Sequence, residues 1–370
     1  MKLSCEREKL LHAFQMAAGV APTRSPKPIL QNIKLEVADG TAILTATDLE
    51  IGIRVEIPGI QIDAPGAAIL PKDRFGPVLR ESSDEKLNLE SDGTKTRVWG
   101  ENSQFQFPTQ NPDEFPAVNP FQEQKYHELS ARFFRELIRR TAFATDTESS
   151  RYALGGVLIE LEPDKITGVG TDGRRLARQE GPAKAVGGHA TTQNTIIPTR
   201  ALQVIERALG DNDGEIQLTV RDNDVLVRTQ RATIYSRLVE GRFPKWRDVF
   251  PRSDDTVRID LAVGPFHSAV RQAGIVTSEE RRGVDFTFGE GKATMTGHGA
   301  EFGESHIELP ISYDGPKIPV KLDPRFVADF LRVLEPDATF TLQIRDSESA
   351  VVCFTDDGYA YVVMPLSRES

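Results

Sequence analysis

The sequence predicts an α+β protein of three repeated domains, each with an antiparallel sheet on one side and two helices on the other. Two observations carry that prediction. The order helix, strands, helix, strands occurs three times with a period of about 125 residues. Matched residue types also return at that period. Asp48 and Asp172, each preceded by threonine, stand 124 residues apart, and Arg80, Arg207 and Arg332 are separated by 127 and 125. Identity between the thirds is low, so spacing and pattern make the case.

The first helix of each third is amphipathic and is expected at residues 6–18, 130–144 and 263–276. Strand-like alternation and a turn follow each, at 42–48, 166–173 and 293–297. The second helices open at proline-bearing starts: Leu70-Pro71-Lys72, Ile197-Pro198-Thr199 and Leu322-Asp323-Pro324. Asp323 reads as an N-cap ahead of a first-turn proline. Alternating runs then recur, such as Glu215–Val220 and Asp224–Arg228, each bounded by Asp, Asn or Gly. Two polar stretches without periodicity, 119–125 and 252–256, are the expected linkers, giving domains at 1–121, 126–251 and 256–370.

Length and composition suit several ordinary soluble domains: 370 residues, 39% hydrophobic and 27% charged. Charge fills the opening Met1-Lys2-Leu3-Ser4-Cys5-Glu6-Arg7, where a secretory leader needs an apolar stretch, and no apolar run reaches membrane-spanning length. With Cys5 and Cys353 at opposite ends, no disulfide framework or metal spacing is present, so a cytoplasmic protein is expected.

A formal net charge of −10 opposes binding to nucleic acid unless the basic residues are segregated. Positions suggest that they are. Arg132, Arg135 and Arg139 lie on a different helix face from Phe134, Leu137, Ile138 and Thr141. Arg80, Arg207 and Arg332 recur in register on the second helices. An ordinary solvated face explains one such helix; recurrence in three brings a shared basic surface level with that reading.

Catalytic signatures are missing from the sequence. Gly291-Lys292-Ala293 lacks the spacing and hydroxyl of a phosphate loop, and Gly297-His298-Gly299 has no third glycine. The six histidines form no metal-binding pattern, and no nucleophile elbow occurs. Asp48 and Asp172 are the best carboxylates for metal-dependent chemistry, but turn chemistry explains them at less cost. No cofactor and no metal are expected. The competing classes are a DNA-acting enzyme such as a nuclease, which needs a carboxylate cluster, and a scaffold with no nucleic-acid link, which leaves the recurrent arginines unexplained.

Six segments resemble a known family. The most specific are Thr171-Asp172-Gly173-Arg174-Arg175-Leu176, Leu238-Val239-Glu240-Gly241-Arg242-Phe243-Pro244 and Tyr361-Val362-Val363-Met364-Pro365-Leu366. Weaker ones are Pro28-Ile29-Leu30-Gln31-Asn32-Ile33, Ala46-Thr47-Asp48-Leu49-Glu50 and Arg151-Tyr152-Ala153-Leu154-Gly155-Gly156. Together they resemble the beta subunit of bacterial DNA polymerase III, the replication sliding clamp, over the whole chain. The resemblance implies the DNA clamp fold, with antiparallel sheets outside and two helices inside each domain, and two chains closing head to tail into a six-domain ring around duplex DNA. It implies a non-catalytic, nucleoid-associated processivity subunit. Its partners would be the polymerase III alpha subunit, the clamp loader, and other polymerases and repair proteins.

The resemblance also implies residue roles. Arg24, Tyr152 and the helix arginines Arg80, Arg132, Arg135, Arg139, Arg207 and Arg332 would contact DNA. A partner-peptide pocket would be formed by Leu154, Thr171, Gly173, Arg175, Leu176, Pro244, Val249, Val362, Met364, Pro365 and Leu366. Phe105 and Phe107 would face Ile275 and Val276 across the dimer contact. Glu148, Ala153, Arg174, Trp246 and the extension 367–370 depart from the common pattern of the family.

Overall fold

In the computed structural model the described residues are 1–370 except 147, 149–151, 192–194, 212, 251–255, 279–281, 300–301 and 368–370; of Tyr152 only the backbone is described. They gather into two compact units, 1–135 with 183–192 and 200–238, and 136–182 with 193–199 and 239–370. The middle third of the sequence thus contributes to both units. Most of the proposed linker 252–256 lies outside the described residues, whereas 119–125 carries no helix or strand.

The first unit holds two antiparallel sheets. A five-stranded one runs, edge to edge, Gln61–Ala64, Lys2–Glu6, Lys86–Ser91, Lys95–Trp99 and Gln104–Pro108. A nine-stranded one runs Lys184–Val186, Tyr126–Ser130, Glu215–Val220, Asp224–Arg228, Ala232–Arg237, Ile51–Glu56, Thr41–Thr47, Ile33–Ala38 and Gly66–Leu70. Helix α1 (Arg7–Ala18) buries Leu10, Ala13, Phe14 and Ala17, and α2 (Lys72–Glu81) buries Phe75, Val78 and Leu79. These are the i, i+3, i+4, i+7 positions of one stripe, and they meet where the Phe14 and Phe75 rings lie 5.1 Å apart. Helix α3 (Ala131–Thr141) begins in this unit, and all of α4 (Thr199–Leu209) after Thr199 belongs to it.

The second unit repeats the scheme. Its eight-stranded sheet runs Thr195–Pro198, Gly156–Leu161, Lys165–Thr171, Arg175–Pro182, Tyr359–Val363, Val351–Phe354, Thr339–Ile344 and Val257–Ala262. Its four-stranded sheet runs Gly303–Pro310, Lys292–Gly299, Val284–Gly289 and Ile318–Leu322. Helices α5 (Val263–Ala273) and α6 (Pro324–Arg332) pack on each other. Asp323 caps α6 as its sequence predicts, its carboxylate accepting the Arg325 N–H at 3.0 Å. The core is aromatic: Phe266, Phe286, Phe288, Phe330, Tyr359 and Tyr361 are buried together, with Phe330 stacked 5.1 Å from Tyr361. Cutting Phe330 to alanine is expected to cost about 3–5 kcal/mol.

The predicted first helices of the second and third domains are shorter than expected. Residues 142–144 and 274–276 are 3₁₀ turns, and Glu6 and Ser130 end strands instead of opening helices. Apolar periodicity persists through such turns because they still pack against the core. The three α+β repeats themselves are as the sequence predicts. They are joined by strand pairing: Ala232–Arg237, closing the middle third, pairs with Ile51–Glu56 of the first. Tyr359–Val363, closing the last third, pairs with Arg175–Pro182 of the middle one.

Candidate partner and nucleic-acid interfaces

Both receiving strands begin after a Thr-Asp turn, and the two turns share one hydrogen-bond scheme. Thr47 donates to the Ile51 carbonyl (2.8 Å) and accepts the Leu49 N–H (3.0 Å), while Asp48 Oδ1 accepts the N–H groups of Glu50 (3.0 Å) and Ile51 (2.7 Å). Thr171 donates to the Arg175 carbonyl (2.6 Å) and accepts the Gly173 N–H (3.1 Å); Asp172 Oδ1 accepts those of Arg174 (2.9 Å) and Arg175 (3.0 Å). The third residue is left-handed in each, at φ 80° for Leu49 and 87° for Gly173. The second carboxylate oxygens pair with Arg200 and Arg175. These aspartates build turns. Among the described residues, no three His, Cys, Asp or Glu side chains converge to hold a metal.

Strand alternation after the second turn sorts the proposed pocket residues. Leu176 and Val362 are paired neighbours on one face of the eight-stranded sheet. They pack with Leu158, Val169, Ile196, Phe243 and Trp246, the last two supplied by the segment that crosses this face. Thr171 and Leu154 are buried as well. Exposed apolar groups stand at the edge of this floor: Met364 is 44% exposed and Val249 39%, with Gly173 and Pro244 also open to solvent. The tail is anchored by its backbone, Met364 N–H donating to the Arg174 carbonyl (2.9 Å) and Leu366 N–H to Lys321 (2.8 Å), with Pro365 half-buried between them.

Arg175 precedes Leu176 in the strand, and its guanidinium is taken up by Asp172 (3.0 Å), Asp329 of α6 (2.6 Å) and the Phe143 carbonyl (2.9 Å). The Phe143 and Phe326 rings flank it at 5.3 and 4.4 Å. Trp246, named from the sequence as a departure from the family pattern, lies beside the patch, as do Phe243, Glu160 and Arg247, which sequence reasoning did not include in the pocket. The Phe-Pro pair before Trp246 was the available signal, because Phe115-Pro116 occupies the same place in the first third.

Among the arginines, Arg24, Arg80, Arg132, Arg139, Arg207 and Arg332 are exposed. Arg24 lies in the irregular segment after α1 and Arg80 in the last turn of α2. Arg135 is half-buried, bonded to the Gly210 carbonyl and paired with Asp211 at 2.8 Å, at the end of α4. Arg332 pairs with Asp329 at 3.1 Å. The Arg332 pair, whose arginine is exposed, holds little energy. The side chain of Tyr152 lies outside the described residues.

Two sheet edges carry the remaining proposed contacts. On the edge strand Gln104–Pro108, Phe105 is exposed while Phe107 is half-buried, its ring 6.3 Å from Phe75. In the second unit Ile275 is 76% exposed and Val276 half-buried. Phe302, 63% exposed, shares with Ile275 a cleft of about 610 Å³. Phe302 was also missed; a lone phenylalanine between Glu301 and Gly303 was its only sequence signal.

Three tandem α+β domains joined through their sheets define a clamp subunit. Comparison with known proteins agrees along the whole chain: residues 1–119, 128–245 and 247–367 match the N-terminal, central and C-terminal domain models of the DNA polymerase III beta subunit. The chain is 29% identical to the beta sliding clamp of Escherichia coli strain K12, over 99% of this chain and 100% of that protein. It is 30% identical to that of Salmonella typhimurium strain LT2, with the same coverage. The crystal structure of the Pseudomonas aeruginosa DNA polymerase III beta subunit superposes with a TM-score of 0.89 at 26% identity, covering 99% of this chain and 100% of that one. A Bacillus subtilis sliding clamp shares the fold, with a TM-score of 0.90 at 21% identity and 99% of each chain covered. The chain belongs to the DNA polymerase III beta subunit family, the beta sliding clamps, and is a processivity subunit without catalytic activity.

Proposed function

We propose that two copies close head to tail into a six-domain ring that encircles duplex DNA without sequence preference and tethers a replicative polymerase to it. The observation that supports this best is the rule of the internal joints. The closing strand of one third pairs with the strand after the turn in the preceding third, twice within the chain. The closing strand of the first third, Gln104–Pro108, has a neighbour on one side only. So does Gly303–Pro310, which stands in the last third where Ile51–Glu56 and Arg175–Pro182 stand in the others. Pairing these two edges between copies applies the same rule a third time. In the register of the internal joints, Phe105 falls opposite Ser305 and Phe107 opposite Gly303 of the second copy. Ile275, Val276 and Phe302 would then be covered.

In this reading the domains are 1–121, 126–251 and 256–370. Arg24, Arg80, Arg132, Arg135, Arg139, Tyr152, Arg207 and Arg332 face the DNA, and the protein works in the cytoplasm on the nucleoid. The apolar patch around Leu176, Val362 and Met364 receives short extended segments of the polymerase alpha subunit, the clamp loader, and other polymerases and repair proteins. Light scattering is expected to give twice the 41.0 kDa chain mass. Replacing Ile275 and Val276 with alanine is expected to shift the protein toward monomer, at a cost of about 3–6 kcal/mol. A wild-type monomer at micromolar concentration refutes the ring.

A further inference from the structure

We propose that Asp84 is the positioning residue for ring closure: its carboxylate folds the turn 100–103 onto its own domain and so presents the edge strand Gln104–Pro108 in pairing geometry before a second copy arrives. The inference rests on the ring reading above and adds the group that prepares one of its two edges.

The turn 100–103 connects Lys95–Trp99 to Gln104–Pro108 and wraps around this one side chain. Asp84 Oδ1 accepts the N–H groups of Glu101 (3.0 Å) and Asn102 (3.3 Å). Its Oδ2 accepts the hydroxyl of Ser103 and, at 3.3 Å, that of Ser82. The Ser103 bond most of all, with the backbone N–H groups and against the upward pull of burial, holds the carboxyl below the usual carboxylate range. Asp84 is itself fixed. Its N–H donates to Ser82 Oγ (3.2 Å) and its carbonyl accepts Arg7 Nε (3.1 Å), while Arg7 also donates to the Leu79 carbonyl in α2 (2.9 Å). Gly100 completes the fit, since a Cβ there would overlap the Asp84 carboxyl group. A charged acceptor with four donors, seated where α1 begins and α2 ends, makes the turn rigid from within its own domain.

The internal joints show why the first third needs such a support. The turn 355–358, ahead of the closing strand of the last third, is held by the third that receives it: Asp357 pairs with Arg140 of α3 at 2.7 Å. The turn 229–231, ahead of Ala232–Arg237, gives its Arg231 carbonyl to the Glu56 N–H of the first third at 2.9 Å. The turn 100–103 leads into the one closing strand whose receiving third belongs to another copy. Asp84 does from inside what the receiving third does at the other two joints. A strand with one neighbour otherwise opens locally at low cost. A slip of one residue would turn Phe105 and Phe107 to the wrong face.

The test measures the dimer dissociation constant of the full-length protein by sedimentation velocity over a dilution series, beside a thermal melt of each variant. Asp84→Ala is expected to raise the constant about tenfold or more, the scale of re-ordering one or two residues on association. Asp84→Asn keeps an oxygen for the Glu101 and Asn102 N–H groups. It should fall between wild type and Asp84→Ala, and it keeps the test usable if the alanine variant melts early. Gly100→Ala, which pushes the turn off an intact carboxylate, should also weaken the dimer and should add little once Asp84 is alanine. Leu44→Ala truncates a buried side chain in the nine-stranded sheet, so it should lower the melting temperature and leave the constant unchanged. A merely structural role would make the Asp84 variants behave like Leu44→Ala. A wild-type constant in every folded variant of Asp84 and Gly100 overturns the positioning role, whereas a wild-type protein that is monomeric at micromolar concentration overturns the ring reading itself.

Discussion

At the scale of single residues, the paired Thr-Asp turns ask the same backbone shape of two different side chains. Leu49 holds a left-handed φ that glycine holds at position 173. For a residue with a Cβ that shape costs about 1–2 kcal/mol, whereas glycine adds unfolded-state entropy of roughly 0.5–1 kcal/mol. Leu49→Gly is therefore expected to leave the melting temperature level or slightly raised, and Gly173→Ala to lower it by about 1 kcal/mol in stability. Equal destabilisation by both would contradict the turn account. A second residue-scale prediction concerns His189. Its Nε2 accepts the Val220 N–H at 3.1 Å, so the neutral ring carries its proton on Nδ1 and donates to His127 Nδ1 at 2.7 Å. Burial pushes the His189 pKa below its ordinary value, against smaller upward pulls from Val220 and Glu123. A depressed folded pKa means the unfolded chain binds the proton first, so stability falls as pH drops below about 6.5. Melts between pH 7 and 5 should show that slope, and His189→Gln should flatten it. The turns were legible in the sequence because all their bonds lie within five residues. Arg175 was not, because its partner Asp329 is 154 positions away.

At the scale of elements, the last strand and the tail after it have separate duties. Tyr359–Val363 is wholly buried and holds two thirds of the chain together. Over 364–367 the side chains are exposed or half-buried, and the backbone N–H groups of Met364 and Leu366 anchor the segment. Deleting 364–370 is therefore expected to leave a folded dimer, with peptide affinity lost and polymerase stimulation with it. A thermal melt beside an anisotropy titration checks both halves. Unchanged peptide affinity in the folded variant would place the docking site elsewhere. Leu176→Ala should behave differently, since its side chain is 3% exposed and belongs to the packed floor. It is expected to lower stability by about 2–5 kcal/mol as well as weaken the peptide. Helix positions were readable from apolar spacing and from the Asp323-Pro324 cap. Their ends were not, because 3₁₀ turns such as 274–276 keep the same buried face as the helix they extend.

At the scale of the whole molecule, the threefold order of elements was legible because each third repeats its turn and helix starts at one period. Which strand joins which third was not, since alternation alone does not choose a partner. The net charge of −10 likewise misleads until the arginines are placed on helices. Retention on DNA by encirclement should respond weakly to salt, unlike groove binding. The loaded protein is expected to stay on a nicked circle at moderate salt and to leave after the circle is cut. Equal loss from circle and linear fragment would exclude encirclement, and Arg24→Ala should weaken only the direct contact. The two sheet edges proposed to pair between copies have one more consequence, for the time a protomer would spend alone after synthesis. Unpaired strands are templates for fibril growth. Here Gln104–Pro108 ends in a proline, and Gly303–Pro310 carries Glu304, His306 and Glu308 before a proline of its own. Each edge is short or charged and is stopped by a residue that cannot donate to a further ladder. In the ring proposed above, a newly made protomer is therefore expected to wait for its mate without seeding aggregates.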